Sequence, residues 1–167
     1  SPTFQERRGV VSENSKIRIL VVDDDEVTLK LLREVLEREG YAVTLALSGE
    51  EAVESFRSDP PSVVLSDIRM IELDGMAVLR SIKSAGSRTP VILMTGFGSM
   101  EGAIEAVRAG AFDYVSKPFK LEQILTATQR AAKHWESLAS EAMRRAAKEL
   151  SGQTKGSGQA RELIGKS

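Results

Sequence analysis

Five short apolar runs, none longer than six residues, recur along this chain and set its fold class. They are residues 17–22, YAVTLA at 41–46, SVVLS at 62–66, PVILMT at 90–95 and FDYVS at 112–116. Each is too brief for a helix, and several are rich in valine and isoleucine, so each is predicted to be a strand. Between them, 26–39, 49–58, 75–85 and 99–109 place apolar side chains at three- and four-residue spacing, which predicts four helices. Gly40, Pro60-Pro61, Gly86 and Gly110 stand at the junctions, where breakers belong. This alternation predicts an α/β domain: a five-stranded parallel sheet with helices on both faces. Right-handed crossovers leave such a chain few topologies.

From 121 onward the helical pattern is long. Ile124, Ala131 and Leu138 recur every seven residues, as do Thr128, Trp135 and Ala142. Such an alanine-rich heptad seam predicts pairing with a second copy, a homodimer through the fifth helix and linker in which Ile124, Ala131, Trp135 and Leu138 meet. After 142 the apolar line moves to Met143, Ala146 and Leu150. SGQTKGSGQ (151–159) is then predicted to be a flexible linker, and ARELIGKS regains apolar character. The expected layout is a flexible leader over 1–16, the α/β domain over 17–130 and a coiled-coil-like helical linker over 131–150. A further linker would occupy 151–167.

Composition excludes several classes of function. Hydrophobic residues make up 41% and charged ones 28%, as in an ordinary soluble domain. The absence of cysteine removes disulfides, thiolate metal sites and cysteine nucleophiles, and the single His134 removes histidine-rich metal clusters. With no apolar run of spanning length and no signal-peptide pattern, the cytoplasm is the expected compartment and no membrane partner is implied. Acids exceed bases over 17–129 and bases exceed acids over 130–167. The basic tail lacks clustered arginines and interleaved aromatics, so it reads as a solvated helix face, with no direct nucleic-acid contact by this chain.

The chemistry gathers at strand ends. KIRILVVDDDEVTLK runs from an apolar strand straight into Asp23, Asp24, Asp25 and Glu26, where like charges repel beside an apolar wall. In open α/β sheets, ligands sit beyond the carboxyl ends of the strands. There the first strand ends in Asp23-Asp24, the third in Asp67, the fourth in Thr95 and the fifth in Lys117. Converging carboxylates suit a hard, oxygen-loving cation, Mg²⁺ above all. A lysine and a threonine hydroxyl suit a phosphoryl group in the same cleft. Each residue taken alone has a plainer role: Asp25 and Glu26 at a helix N-terminus, Asp67 as a turn former, Lys117 and Thr95 as solvated strand-end groups. Four complementary groups at one sheet edge favour the joint reading.

ILVVDDDE, VVLSDIRM, VILMTG and YVSKPF, in this order, resemble the signature of response-regulator receiver domains over residues 17 to about 130. The resemblance implies a flavodoxin-like sheet of strand order 2-1-3-4-5. It implies a signalling domain rather than a metabolic enzyme, with Asp67 accepting a phosphoryl group from a sensor histidine kinase. Asp24, Asp67 and the backbone carbonyl of Arg69 would hold Mg²⁺, with Asp23 acting through a metal-bound water. Thr95 and Lys117 would hold the phosphoryl oxygens, and Tyr114 would change rotamer with Thr95 on activation. Ile71 stands where the family usually has proline. Within the family, MTGFGSMEGAIEAVRAGAFDYVSKPF resembles the NtrC-like subgroup that activates sigma-54 transcription, and ELIGKS is similar to the opening of its AAA+ ATPase domain. DNA would then be bound by domains further along.

Two other classes share parts of the pattern. A haloacid-dehalogenase-like Mg²⁺ phosphatase would use Asp23 and Asp25, but it needs a second acidic strand end after the lysine and leaves Asp67 idle. A flavodoxin-like FMN binder would need a phosphate-cradling first loop, which DDDEVT does not supply.

Overall fold

The computed structural model describes residues 16–69, 74–96 and 100–165, with side chains in the last helix through Gly152. Five strands, β1 (Arg18–Val22), β2 (Ala42–Ala46), β3 (Val63–Asp67), β4 (Val91–Thr95) and β5 (Asp113–Ser116), alternate with five helices. These are α1 (Glu26–Arg38), α2 (Gly49–Ser58), α3 (Gly75–Ser84), α4 (Met100–Arg108) and α5 (Leu121–Gly165). The sheet is parallel throughout in the order β2-β1-β3-β4-β5, as the resemblance implies. The leader over 1–15, Ile71 and its neighbours in RMIELDG, and the segment 97–99 lie outside the described residues.

The strands read as near-continuous apolar runs because both faces of the sheet are covered. One face carries Leu20, Val22, Val64, Val91 and Leu93 against Ala52 and Phe56 of α2, Met76, Leu79 and Ile82 of α3, and Ala106 of α4. The alternate residues Ile19, Val21, Val63, Leu65, Ile92 and Met94 are buried too, and strand alternation puts them on the opposite face. Leu29, Leu32 and Leu36 of α1 and Ile124, Ala127 and Ala131 of α5 are buried as well, outside the first cluster. Local signals agree with this packing. Asp25, Ser48 and Asp74 cap α1, α2 and α3 by accepting from Val27, Glu51 and Ala77 backbone N–H groups. Gly40, Gly86 and Gly110 hold φ of 95°, 75° and 94° where helices hand over to strands.

The chain divides into two compact units between Lys133 and His134, within α5, close to the predicted boundary. Two expectations for this region need correction. Ile124, Thr128 and Ala131 are fully buried in the first unit, so the first part of the heptad seam serves the domain's own core and is closed to a second copy. Covering a sheet face requires an apolar helix stripe before any partner arrives. Trp135 and Leu138, in the second unit, are half-buried, while Met143 and Leu150 are exposed. Second, the helix continues through 151–159 to Gly165 in place of the predicted flexible linker. No proline follows Pro118, and a glycine weakens a helix by about 1 kcal/mol without removing a backbone hydrogen bond.

Gly75 fixes how closely α3 starts against the end of β3. A Cβ there would lie 2.3 Å from the Asp67 carbonyl oxygen and 2.9 Å from the Ile68 Cα, and both are backbone atoms. Gly75→Ala is therefore expected to cost about 1–3 kcal/mol through forced displacement. Gly152→Ala, whose Cβ meets nothing within 4 Å, is expected to be neutral or slightly stabilising. Urea unfolding midpoints of the two variants check this difference in sign.

Candidate functional site

Parallel register brings the strand ends together. Val22 pairs with Ser66, so Asp23 and Asp67, the next residue of each strand, become neighbours. Asp67 pairs with Met94, which puts Thr95 beside the same edge, and Thr95 pairs with Ser116, which delivers Lys117. The Lys117 N–H donates to the Thr95 carbonyl at 2.6 Å, and the Asp23 N–H donates to the Ala46 carbonyl at 3.1 Å. The backbone thus holds the edge before any side chain is considered.

Asp23, Asp24 and Asp67 offer carboxylate oxygens that all lie within 4.8 Å of one another. Asp23 is wholly buried and Asp67 is 7% exposed, whereas Asp24 faces solvent. Lys117 Nζ donates to Asp23 Oδ2 at 2.9 Å and to Asp67 Oδ2 at 3.1 Å. The remaining oxygens are engaged as well: Asp23 Oδ1 accepts from the Asp25 N–H at 3.0 Å, and Asp67 Oδ1 from the Arg69 N–H at 3.2 Å. Thr95 is buried beside them at 4% exposure, while Tyr114 is 42% exposed on β5.

Burial pushes the Asp67 carboxyl above its ordinary range, and the Asp23 charge adds to the effect; the Lys117 hydrogen bond and charge oppose it without cancelling it. For Lys117, burial alone would lower the ammonium, but the hydrogen bonds to Asp23 and Asp67 and their charges raise it overall. One cation is thus shared by two buried carboxylates, with a third on the solvent side. This donor set, all hard oxygens with one open approach, fits a divalent cation of the alkaline-earth kind.

Asp25 is the exception within the acidic run. Its carboxylate accepts from the Thr28 hydroxyl at 2.7 Å and the Val27 N–H at 3.2 Å, and these bonds hold it below the usual carboxylate range. It caps α1 and stands outside the group of carboxylates that gather within 4.8 Å, so the Asp23 and Asp25 pair that a haloacid-dehalogenase-like phosphatase would use is not formed. Asp23, Asp24, Asp67, Thr95 and Lys117 all lie at the carboxyl ends of their strands, the edge expected from the residue pattern. Sequence reasoning treated Asp74-Gly75 only as a turn and helix start, and the close approach to Asp67 had no separate signal in the residue pattern. It also gave Lys117 only a phosphoryl-binding role, while here the side chain spans Asp23 and Asp67.

The chain has recognisable relatives among known proteins. Regulatory protein AtoC of Escherichia coli (strain K12) is 45% identical over 114 residues, covering 68% of this chain and 25% of the relative. Transcriptional regulatory protein ZraR of Salmonella typhimurium is 42% identical over 119 residues, covering 71% and 27%. The chain therefore spans about a quarter of the length of these curated relatives. Among solved structures, a response regulator receiver domain from Clostridium thermocellum superposes with a TM-score of 0.69 at 34% identity, over 72% of this chain and 98% of that one. The receiver domain of NtrX from Brucella abortus gives 0.65 at 34% identity, over 69% and 98%. The family model for the response regulator receiver domain matches residues 19–129, more than half of the chain, and the protein belongs to that family.

Proposed function

We propose that Asp67 accepts a phosphoryl group from the phosphohistidine of a sensor histidine kinase, and that the resulting charge switches a downstream output. The observation that carries this reading is the buried Asp67 carboxylate held between Lys117 and a second carboxylate at the open end of the sheet. An Asp67 oxygen attacks phosphorus, the P–N bond breaks, and its electron pair returns to the imidazole. Asp24, Asp67 and the Arg69 carbonyl would hold Mg²⁺, and Asp23 would act on it through a water. When bound, the ion offsets charge on the phosphoryl oxygens. Lys117 exchanges its bond to Asp67 for one to the phosphoryl group, and Thr95 donates its hydroxyl to another oxygen. The added charge of about −1.5 to −2 draws Thr95 inward, and Tyr114, exposed here, turns into the vacated space.

In this role the domain is the substrate of a phosphotransfer and turns over no metabolite. Its place is the cytoplasm, where a kinase and a transcription apparatus meet it; among the described residues no helix is long and apolar enough to cross a membrane. The output is sigma-54-dependent transcription, exerted through AAA+ and DNA-binding segments of a longer protein. The resemblance of MTGFGSMEGAIEAVRAGAFDYVSKPF and ELIGKS to that subgroup supports this. The homodimer, with Ile124 and Ala131 withdrawn from its seam, rests on Trp135 and Leu138.

Incubation with acetyl phosphate and Mg²⁺ is expected to add one alkali-labile phosphoryl group, and Asp67→Asn to abolish it; full labelling of that variant elsewhere would overturn the assignment. The same variant has a stability signature. A carboxyl whose folded pKa is raised contributes stability that is present below its unfolded pKa and lost as pH rises through the folded one. At neutral pH and without metal, Asp67→Asn is therefore expected to melt at or above the wild-type temperature, with the difference closing below pH about 4. For the metal, Asp24→Ala is expected to weaken Mg²⁺ binding by calorimetry far more than Asp25→Ala, since Asp25 is committed to its cap. Finally, Trp135→Ala is expected to shift the protein toward monomer in light scattering across a concentration series. A monomeric wild type, or a dimer untouched by the substitution, would sink the dimer.

A further inference from the structure

A second feature lies away from the acidic site. Between the C-terminal halves of α2 and α3 runs a trough of about 410 Å³, with Val53, Phe56 and Ile82 among its apolar lining and Arg57 and Arg80 contributed by the two helices. Because the helices run against the strands, this trough sits toward the edge of the sheet opposite Asp67. Arg57 in the last turn of α2 complements that helix's C-terminal dipole, which is its plain role. Arg80 lies a full turn before the end of α3 and brings a second positive charge to the same trough. No carboxylate lines it, and among the described residues neither guanidinium forms an ion pair. Two like charges beside an apolar floor repel each other until an anion arrives, and guanidinium forks match carboxylates in geometry as well as charge.

We propose that this trough docks an acidic peptide segment of a partner protein, with carboxylates on Arg57 and Arg80 and an apolar side chain on half-buried Val53, over a floor closed by buried Phe56 and Ile82. A small organic anion fits less well. Such ligands need most of their surface buried, and Arg57, Arg80, Ser84 and Ala85 are themselves exposed. An extended segment needs only one covered side and draws its remaining affinity from its length. Since the trough shares no residue with the Asp67 site, the segment binds without competing for phosphotransfer.

The test uses a fluorescein-labelled peptide of alternating glutamate and leucine, and a matched peptide with glutamine for glutamate, read by fluorescence anisotropy on the whole chain. The acidic peptide is expected to bind in a salt-sensitive way. The double variant Arg57→Glu, Arg80→Glu is expected to bind about tenfold or more weakly. Both positions are exposed, so circular dichroism is expected to match wild type, and phosphorylation of Asp67 by acetyl phosphate is expected to be unchanged. That second readout separates failure of this proposal from failure of the phosphoacceptor assignment. Absence of binding at about 1 mM peptide, equal binding by the double variant, or equal binding of the glutamine peptide would each overturn it.

Discussion

The Lys117 ammonium, bonded to Asp23 and Asp67 at once, is the contact on which the working end of this molecule depends. Two carboxylates at 0% and 7% exposure are costly neighbours, and removing the Lys117 ammonium would leave both buried charges uncompensated. The amine reaches them because β5 pairs with β4 in a register that delivers Lys117 to the same edge. Strand order, register and charge balance are therefore one arrangement: a sheet in another order would carry the acids without their cation. The third acid, Asp24, stays in solvent and leaves the site open to a second cation.

The acidic run that begins after β1 thus divides into different tasks. Asp23 is buried against Lys117, Asp24 faces the opening, and Asp25 closes the first turn of α1. Adjacent residues with the same side chain acquire distinct chemistry because the backbone turns between strand and helix. The raised Asp67 carboxyl and the lowered Asp25 carboxyl follow from desolvation in one case and added hydrogen bonds in the other.

Much of this was legible in the residues. The strands and the first four helices lie where apolar run length and three-to-four spacing put them, because each apolar position had to meet one sheet. The strand-end residues were legible for the same reason: once the strands align, Asp23, Asp67, Thr95 and Lys117 have one edge to share. Less visible were features set by distance rather than pattern. That Gly75 must lack a side chain follows from the Asp67 carbonyl beside it, which no local periodicity encodes. The heptad spacing of α5 suggests one seam, yet a stripe of Ile124, Thr128 and Ala131 serves a sheet as well as a second helix. Only the fold shows where that stripe is used. The glycine-rich composition of 151–159 points to a linker, while helix continuity depends on backbone bonds that glycine keeps.

The contact between the Gly75 N–H and the Ile68 carbonyl, at 2.9 Å, has a consequence for how this region can vary. It joins the end of β3 to the start of α3 in a neck one residue past Asp67. Arg69, just inside this neck, donates its N–H to Asp67 Oδ1 at 3.2 Å, so variation there reaches the carboxylate directly. Change is therefore borne least well at the neck itself, where one displacement would disturb both the start of α3 and the orientation of the buried carboxylate.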